Sequence, residues 1–552
     1  MEPEFLSEKT APADISSNIP DATSSTPEPP RTVQGFAWIL ILLSILSCTF
    51  LYGLDQTIVA NVQPAIVSRF DSLSELAWIS VAFLLAAASS NLFWGQMYGR
   101  FNVKYLYMTC VLLFEVGSAI CGAAPSMAAL IVGRAICGFG GAGMYTGSMT
   151  LLSLTTTEQE RAFYLGLPGI TWGAGTVLGP ILGGAFTDSS AGWRWAFYIN
   201  LVIGAVFAPV YVWLVPSKDM QPGKSMKERI KGVDLLGFVL MTGTFTAGLM
   251  AISFGGTEYA WDSAQIIALF VVAGVVTAMY WTQQYFAFGV AREHVSFPLV
   301  FLKNADLLLV ALVEASAITA TFIPIYFLPL FFAFVHGDSP MMTGVRLLPY
   351  VVFVVFTCLL SGHVVSKNGQ WLPWFLGGGI LVLAGSAAMY TVNEHTSKAN
   401  VYGYSVLLGL GAGSYLQLPF AVAQMKVDPV YITGAVGFMA FAQLSAPSVT
   451  MAIAEAVFLN EASGQIQQIL PNMSLEDIHR IISGLGGDQL ASLGQATIQR
   501  VIHIIVRNIS KAYILCFVGA GVTILISVYF GVSELGRRKK TGKKGTVEDG
   551  AS

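Results

Sequence analysis

The sequence predicts an all-α polytopic membrane protein with fourteen transmembrane helices, and three observations carry that reading. The 552 residues are 54% hydrophobic and only 11% charged, with a mean hydropathy of +0.65, far outside the balance of soluble domains. Apolar stretches of about 20 residues, enough to cross roughly 30 Å of hydrocarbon, recur along the whole chain. Most basic residues fall in alternate connections between those stretches.

The fourteen apolar stretches lie near 36–60, 76–97, 105–124, 128–152, 163–185, 194–215, 233–254, 263–284, 306–334, 343–364, 373–391, 401–424, 433–458 and 511–531. An even number of spans puts both termini on one side. With that side inside, 20 of the 29 Lys and Arg residues lie in inner segments, eight lie in outer segments or at outer helix ends, and Arg134 alone falls within a span. The positive-inside rule then makes both termini cytoplasmic.

Residues 1–35 form an acidic Ser/Pro-rich tail without an apolar core, which reads as disordered and not as a signal peptide. A first group of six spans occupies 36–216. A basic connection and two inserted helices occupy 217–290, and a second group of six spans occupies 291–531, with its longest outer connection at 460–510. A basic tail closes the chain at 532–552. Internal similarity supports two related halves. Gly95-Gln-Met-Tyr-Gly-Arg100 ends the second span as Gly362-His-Val-Val-Ser-Lys367 ends the tenth, and Gly141-Ala-Gly143 matches Gly411-Ala-Gly413.

The six cysteines (48, 110, 121, 137, 358, 516) lie in or beside spans without metal or disulfide spacing, which predicts packing roles. No metal, cofactor or nucleic-acid motif is found. The expected partners are a small-molecule substrate, protons and the lipid bilayer, with the chain acting as a monomer. Two acceptor sequons fall on the outer side, at Asn472 and Asn508. Asn472 is the favoured glycosylation site, because Asn508 sits almost at the membrane.

The fifth span carries a glycine ladder from Gly169 to Gly184, with Gly175, Gly179 and Gly183 on one face and Pro180 set among them. Small residues four apart let another helix approach to backbone contact, while proline removes a backbone hydrogen bond. Few ionisable residues lie well inside spans: Asp55, Glu115, Arg134, Glu314 and, nearer an outer end, Glu455. A charge at the bilayer centre costs roughly 2.5–3.5 kcal/mol on insertion scales, so such residues face a cavity or a partner and mark transport paths. Asp55 and Glu314 are expected at a cavity. A carboxyl in that setting can take up and release a proton during transport. Trp172, Tyr145, Tyr326, Phe322 and Gln417 are candidates for a cavity wall suited to a bulky aromatic or amphipathic substrate.

These residues also carry a family resemblance over roughly 35–535. Leu54-Asp55-Gln56-Thr57-Ile58-Val59 with Asn61 and Pro64 resembles the first-span motif of the drug:proton antiporter branch of the major facilitator superfamily. The ladder ending Gly179-Pro180-Ile-Leu-Gly183-Gly184 resembles that branch's antiporter motif. Gly133-Arg134 with Gly138, Gly140 and Gly141 resembles its fourth-span motif, and Trp193-Arg194-Trp195-Ala-Phe197-Tyr198-Ile-Asn200 resembles the start of its sixth span. The resemblance implies a major facilitator fold, two six-helix halves plus two extra central helices, working by alternating access. It also implies that Arg134 assists proton transfer. The intramembrane charges Asp55, Glu115, Arg134 and Glu314 are therefore the expected proton-coupling set, with Asp55 near the substrate and Arg134 tuning a carboxylate such as Glu115. In the loop after the second span Gly95, Arg100 and Lys104 fit the family's cytoplasmic gate. Gly99, Asn102 and Val103 depart from it, so Arg100 is expected to pair with some other carboxylate.

The tail and the loop around Arg161 resemble fungal toxin and secondary-metabolite efflux pumps. The expected function is therefore proton-coupled efflux of a small amphipathic or aromatic metabolite, toxin or drug across the plasma membrane, with the vacuolar membrane as alternative. The nearest rival is a proton-coupled importer, for instance of a siderophore. A receptor would not need the glycine-proline ladder, and no clustered His or acidic motif points to an enzyme.

Overall fold

The computed structural model describes residues 33–70, 75–256, 259–297, 299–482, 489–490 and 493–548, so the expected N-terminal tail lies almost wholly outside the described residues. Among these residues there are fourteen helices long and apolar enough to cross a membrane. We number them α1 (Gly35–Phe70), α2 (Leu76–Tyr98), α3 (Val103–Ala123), α4 (Met127–Thr155), α5 (Glu158–Asp188), α6 (Trp195–Trp213), α7 (Leu235–Phe254), α8 (Ala264–Phe286), α9 (Ala305–His336), α10 (Pro340–Asn368), α11 (Leu372–Tyr390), α12 (Lys398–Met425), α13 (Ile432–Ile469) and α14 (Gln495–Glu548).

Short polar residues fix several starts. Asn102, Ser126, Ser263, Ser339 and Ser397 each accept a hydrogen bond from a backbone N–H of the first turn, satisfying donors that a helix leaves unpaired. Helix α12 is interrupted between Tyr415 and Leu418, just before Pro419. The proline ring cannot supply the N–H that Tyr415 would accept from. Irregular backbone at membrane depth survives where it borders a cavity, and Gln417 at the break does so.

The outer connection expected at 460–510 is mostly helical. Helix α13 runs on to Ile469, a short amphipathic helix Leu475–Ile482 buries Ile478, Ile481 and Ile482, and α14 begins at Gln495. The polar residues of 495–510 hid this start, because a helix projecting past the bilayer loses the apolar signature of a span.

The halves pack as a repeat. Helix α1 lies on α5, and α3 and α2 on α4; in the second half α11 lies on α12 and α14, and α10 on α12. Glycines permit the closest approaches: a Cβ at Gly140 of α4 would stand 2.6 Å from the Phe114 nitrogen, and one at Gly411 of α12 would stand 2.6 Å from the Val382 nitrogen. The halves meet along two seams, α5 with α10 and α2 with α13, which occupy equivalent places in the repeat.

The inserted pair spans one seam. Phe238 of α7 stacks on Phe93 of α2, and Phe245 of α7 meets Phe441 of α13. At its start Asp234 is buried. Its carboxylate accepts from the Gly237 and Ser296 backbone and from the Gln283 and Gln284 side chains at 2.8–2.9 Å. A buried carboxylate held by four donors fixes the α7–α8 pair as a unit.

Candidate transport site

A cavity lies between the halves, partly open to solvent, with about 500 Å³ of space inside its walls and mouth together. Tyr52 and Gln56 reach it from α1, Tyr145 from α4, Gly169 and Trp172 from α5, Phe322 from α9, Gln417 from α12, and Gln443 and Pro447 from α13. The Trp172 and Phe322 rings face each other with centroids 5.2 Å apart. Gly53 makes that possible: a Cβ there would stand 2.6 Å from the Trp172 carbonyl, so only glycine lets α1 and α5 close behind the indole. Four of the expected wall residues, Tyr145, Trp172, Phe322 and Gln417, are in place. Tyr326 is not among the lining residues and is 37% exposed. Among the described residues that line the cavity none carries a formal charge.

The polar wall crosses between the halves. The Tyr145 hydroxyl donates to Gln443 Oε1, and Gln417 Nε2 donates to the Tyr145 oxygen at 3.4 Å.

Asp55 stands behind the wall, not on it. It is fully buried and pairs with Arg134, which is 1% exposed. Asn200 Nδ2 donates to Asp55 Oδ1 at 3.1 Å and to Ser118 Oγ at 3.0 Å, while Arg134 Nε donates to the Ile79 carbonyl at 2.9 Å. The guanidinium carbon also lies 4.4 Å from the centroid of the Phe83 ring. Both charges are thus matched by charge and hydrogen bond, the condition under which a buried pair holds together. Helix periodicity explains the difference from expectation. Tyr52 and Gln56 flank Asp55 at spacings of three residues and one, and it is their sides of α1 that border the cavity, leaving Asp55 toward α4 and α6. Arg134 therefore meets Asp55 and not Glu115. The Glu115 carboxylate turns to α6, where the missing Cβ of Gly204 makes room for it, and neither oxygen has a hydrogen-bond partner.

Glu314 of α9 is fully buried, and both of its oxygens also lack a completed hydrogen bond. The Gln443 side chain lies near it without completing a hydrogen bond.

The glycine ladder serves two neighbours. A Cβ at Gly175 would stand 2.5 Å from the Phe50 carbonyl and 2.7 Å from the Leu54 nitrogen, and one at Gly179 would collide with Thr57, so both bring α5 against α1 within one half. Gly166, Gly173 and Pro180 face α10 across the seam, at Cys358, Val351 and Gly344. Gly183 and Gly184 continue the helix. Gly175→Ala is expected to destabilise the protein by roughly 1–3 kcal/mol through overpacking against backbone. A Cβ at Gly173 meets only the Val351 and Val355 methyls, at 3.3 and 3.4 Å, so Gly173→Ala keeps the melting temperature and slows transport. Equal losses of stability in the two variants would contradict this division.

On the side of the termini the halves are tied together. Asn91 of α2 donates to the Ala440 carbonyl at 3.1 Å, and Gln424 of α12 donates to Ser153 of α4 at 3.2 Å. Cys358 lies 3.6 Å from the Gly166 carbonyl. Gly95 meets Gly437, where a Cβ on either would stand 3.0–3.2 Å from the other's Cα, and a Cβ at Gly362 would stand 2.8 Å from the Ala162 carbonyl. Gly95 thus acts by close approach. Arg100 is buried, with Nη1 donating to the Gln96 carbonyl at 3.3 Å, and the Lys104 backbone caps α3 through Asn102. Gly437 was not visible in the sequence as a partner of Gly95, since nothing in spacing links residues so far apart.

On the opposite side Asp338, before α10, holds Arg346, whose Nη2 donates to Asp338 Oδ1 at 3.0 Å and whose Nη1 donates to Tyr402 at 2.8 Å. The Arg346 guanidinium keeps the Asp338 carboxyl below its ordinary value. A depressed folded value gives stability that is present above the unfolded value of about 4 and lost as pH falls through the folded one. The difference in melting temperature between the natural protein and Asp338→Asn is therefore expected to hold from roughly pH 8 to 5 and to shrink below about 4. Shrinkage already complete at about pH 6 would contradict it.

Asn472 is exposed in a turn, whereas Asn508 is 2% exposed within α14 and donates to the Ile504 carbonyl at 2.9 Å.

The family model described as Major Facilitator Superfamily matches residues 45–451. The chain belongs to the Major Facilitator Superfamily. Within the superfamily it is 47% identical over 517 residues to a protein named MFS-type transporter pgmG of Aspergillus terreus, covering 94% of this chain and 92% of that one. It is 44% identical to the efflux pump alnA of Emericella nidulans, covering 91% of each. The efflux pump patC of Aspergillus clavatus is 39% identical, with 95% of each covered. Among solved structures, a bacterial homolog to the human lysosomal transporter Spinster, inward-facing and unoccupied, aligns with a TM-score of 0.54 at 16% identity, covering 90% of this chain and 98% of that one. The human organic anion transporter MFSD10 aligns with the same score at 11% identity, covering 88% and 100%. Those two likenesses show the superfamily fold alone. The protein is a multi-pass membrane transporter and not an enzyme.

Proposed function

We propose that this transporter exports an uncharged amphipathic or aromatic secondary metabolite in exchange for protons. The carrying observation is the pairing of an uncharged, aromatic and amide-lined cavity with Glu314, a buried carboxyl one side chain behind its wall. The wall offers flat apolar faces and a few fixed hydrogen-bonding groups, and no counter-ion for a charged molecule. The relatives named efflux pumps support the outward direction, as do the ladder's resemblance to the antiporter motif and the repeat of two halves.

The proton-coupling set divides by environment. Asp55 and Arg134 neutralise each other and form a fixed strut. An ionised Glu314 has no such match, and an uncompensated charge there costs several kcal/mol. Glu314 is therefore the group assigned to gain and lose the coupled proton, with Glu115 as a second unpartnered carboxyl in the first half. The halves rock about the cavity, and the contacts at Gly95 and Gly362 open when it faces the termini. One proton entering across about 100 mV gains roughly 2.3 kcal/mol, and one pH unit adds about 1.4. A neutral solute could then be concentrated a few hundredfold.

The location that goes with this reading is the plasma membrane with both termini cytoplasmic, the vacuolar membrane being the alternative, with Asn472 as the candidate glycosylation site. Glu314→Gln is expected to abolish gradient-driven export, measured as intracellular retention of secreted metabolites, while surface expression stays normal. Export at the natural rate in that variant would remove Glu314 from the mechanism.

A further inference from the structure

Tyr145 and Gln443 belong to different halves, yet they share one hydrogen bond at the cavity wall. Tyr145 rises from α4 and donates to Gln443 Oε1 on α13, with Gln417 of α12 bonded to the same phenol. Any motion that opens the cavity toward the termini draws α4 from α13 and breaks this bond. Gln443 has a second neighbour, the buried Glu314 carboxyl on α9, whose oxygens complete no hydrogen bond in this state. The other titratable groups facing Glu314 are Tyr145, Cys358 of α10 and Tyr415 of α12. Helix α14, packed on the same helix, presents the Thr523 hydroxyl, bonded to Ser316 at 2.9 Å. Among the described residues no cation forms an ion pair with Glu314.

A buried amide that loses one partner must find another or carry the desolvation penalty. Here the alternatives for Gln443 Oε1 are protonated Glu314, the form that can donate, and whatever occupies the cavity, since both Tyr145 and Gln443 line it. On the reading of Glu314 as the proton carrier, we propose that the Tyr145–Gln443 bridge is the coupling switch: a substrate carbonyl or hydroxyl, or separation of the halves, displaces the bond and frees Gln443 to bond the Glu314 carboxyl. Gln443 is thus a positioning residue acting through Glu314. The substrate class this fits is a neutral molecule whose unsaturated body lies between Trp172 and Phe322 and whose carbonyl or hydroxyl meets the amides.

The test needs no identified substrate, because Cys358 is a native reporter of the α5–α10 seam. Buried beside the Gly166 carbonyl, it becomes accessible when the cavity opens toward the termini. Alkylation of Cys358 by a small maleimide is followed by peptide mass spectrometry in the purified full chain, from roughly pH 5 to 9, normalised at each pH to the unfolded chain. The natural protein is expected to show a single-proton dependence that is flat in Glu314→Gln. Gln443→Met and Tyr145→Phe should each move its midpoint by about one pH unit or more, and the double variant no further than the larger single effect. A merely structural contact would change the rate at every pH and leave the midpoint in place. A flat Glu314→Gln with unmoved midpoints in both other variants overturns the bridge and leaves the proton assignment standing. A pH dependence that persists in Glu314→Gln overturns the proton assignment itself, and the bridge with it. If Gln443→Met fails to fold, Tyr145→Phe, which loses a single oxygen, decides the question.

Discussion

Asp55→Asn is expected to lose transport and about 3–5 kcal/mol of stability together, because it leaves the Arg134 guanidinium buried and unmatched. Arg134→Gln should do the same for Asp55. The double variant Asp55→Asn with Arg134→Gln removes both charges and is expected to recover most of the lost stability. A double-mutant cycle on the melting temperature of purified protein reads the coupling. Both partners are buried, Asn200 donates to Asp55 and Arg134 to the Ile79 carbonyl, and Asn200 is itself fixed by Ser118. A double variant as unstable as the singles would show that shape, and not charge balance, governs this site.

Gly437→Leu is expected to abolish turnover in a protein that still folds. The α2–α13 seam closes by Gly95 and Gly437 meeting at their backbones, so a leucine on either wedges the halves apart on the side of the termini. The rest of each half is untouched, and the halves can fold while held open. The predicted signature is fast alkylation of Cys358, on the other seam, together with loss of export. Gly95→Leu should behave alike. Slow alkylation with lost export would mean that the substitution damages the fold and does not wedge the gate.

The fourteen spans were legible because each is an uninterrupted apolar run, and the repeat was legible in paired glycines at helix ends. The ladder was legible as a packing face, but its two neighbours were not. Spacing puts Gly175 and Gly179 on one face without saying that the face meets α1, while Gly166 and Gly173 meet α10. Asp55 and Arg134 stood out as costly intramembrane charges, yet their pairing joins residues 79 apart and depends on how α1 and α4 are rotated. Tyr145 and Gln443 lie 298 residues apart, and a glutamine in an apolar run is a weak signal on its own. Pro419 follows the break that brings Gln417 to the cavity, but a lone proline in an apolar run does not announce one. The sequence places Asn508 almost at the membrane, and its burial follows from packing beside α13, where its amide lies 3.4 Å from Gln465.

Inside-out plasma-membrane vesicles from cells making the protein test proton-coupled export most directly. The vesicles are incubated with the cells' own extracted metabolites, with the proton gradient imposed or collapsed, and their contents are read by mass spectrometry. At least one neutral, unsaturated metabolite is predicted to accumulate inside only with the gradient, and not in vesicles carrying Glu314→Gln. Accumulation that is the same with the gradient collapsed, or absent for every metabolite, would contradict the account.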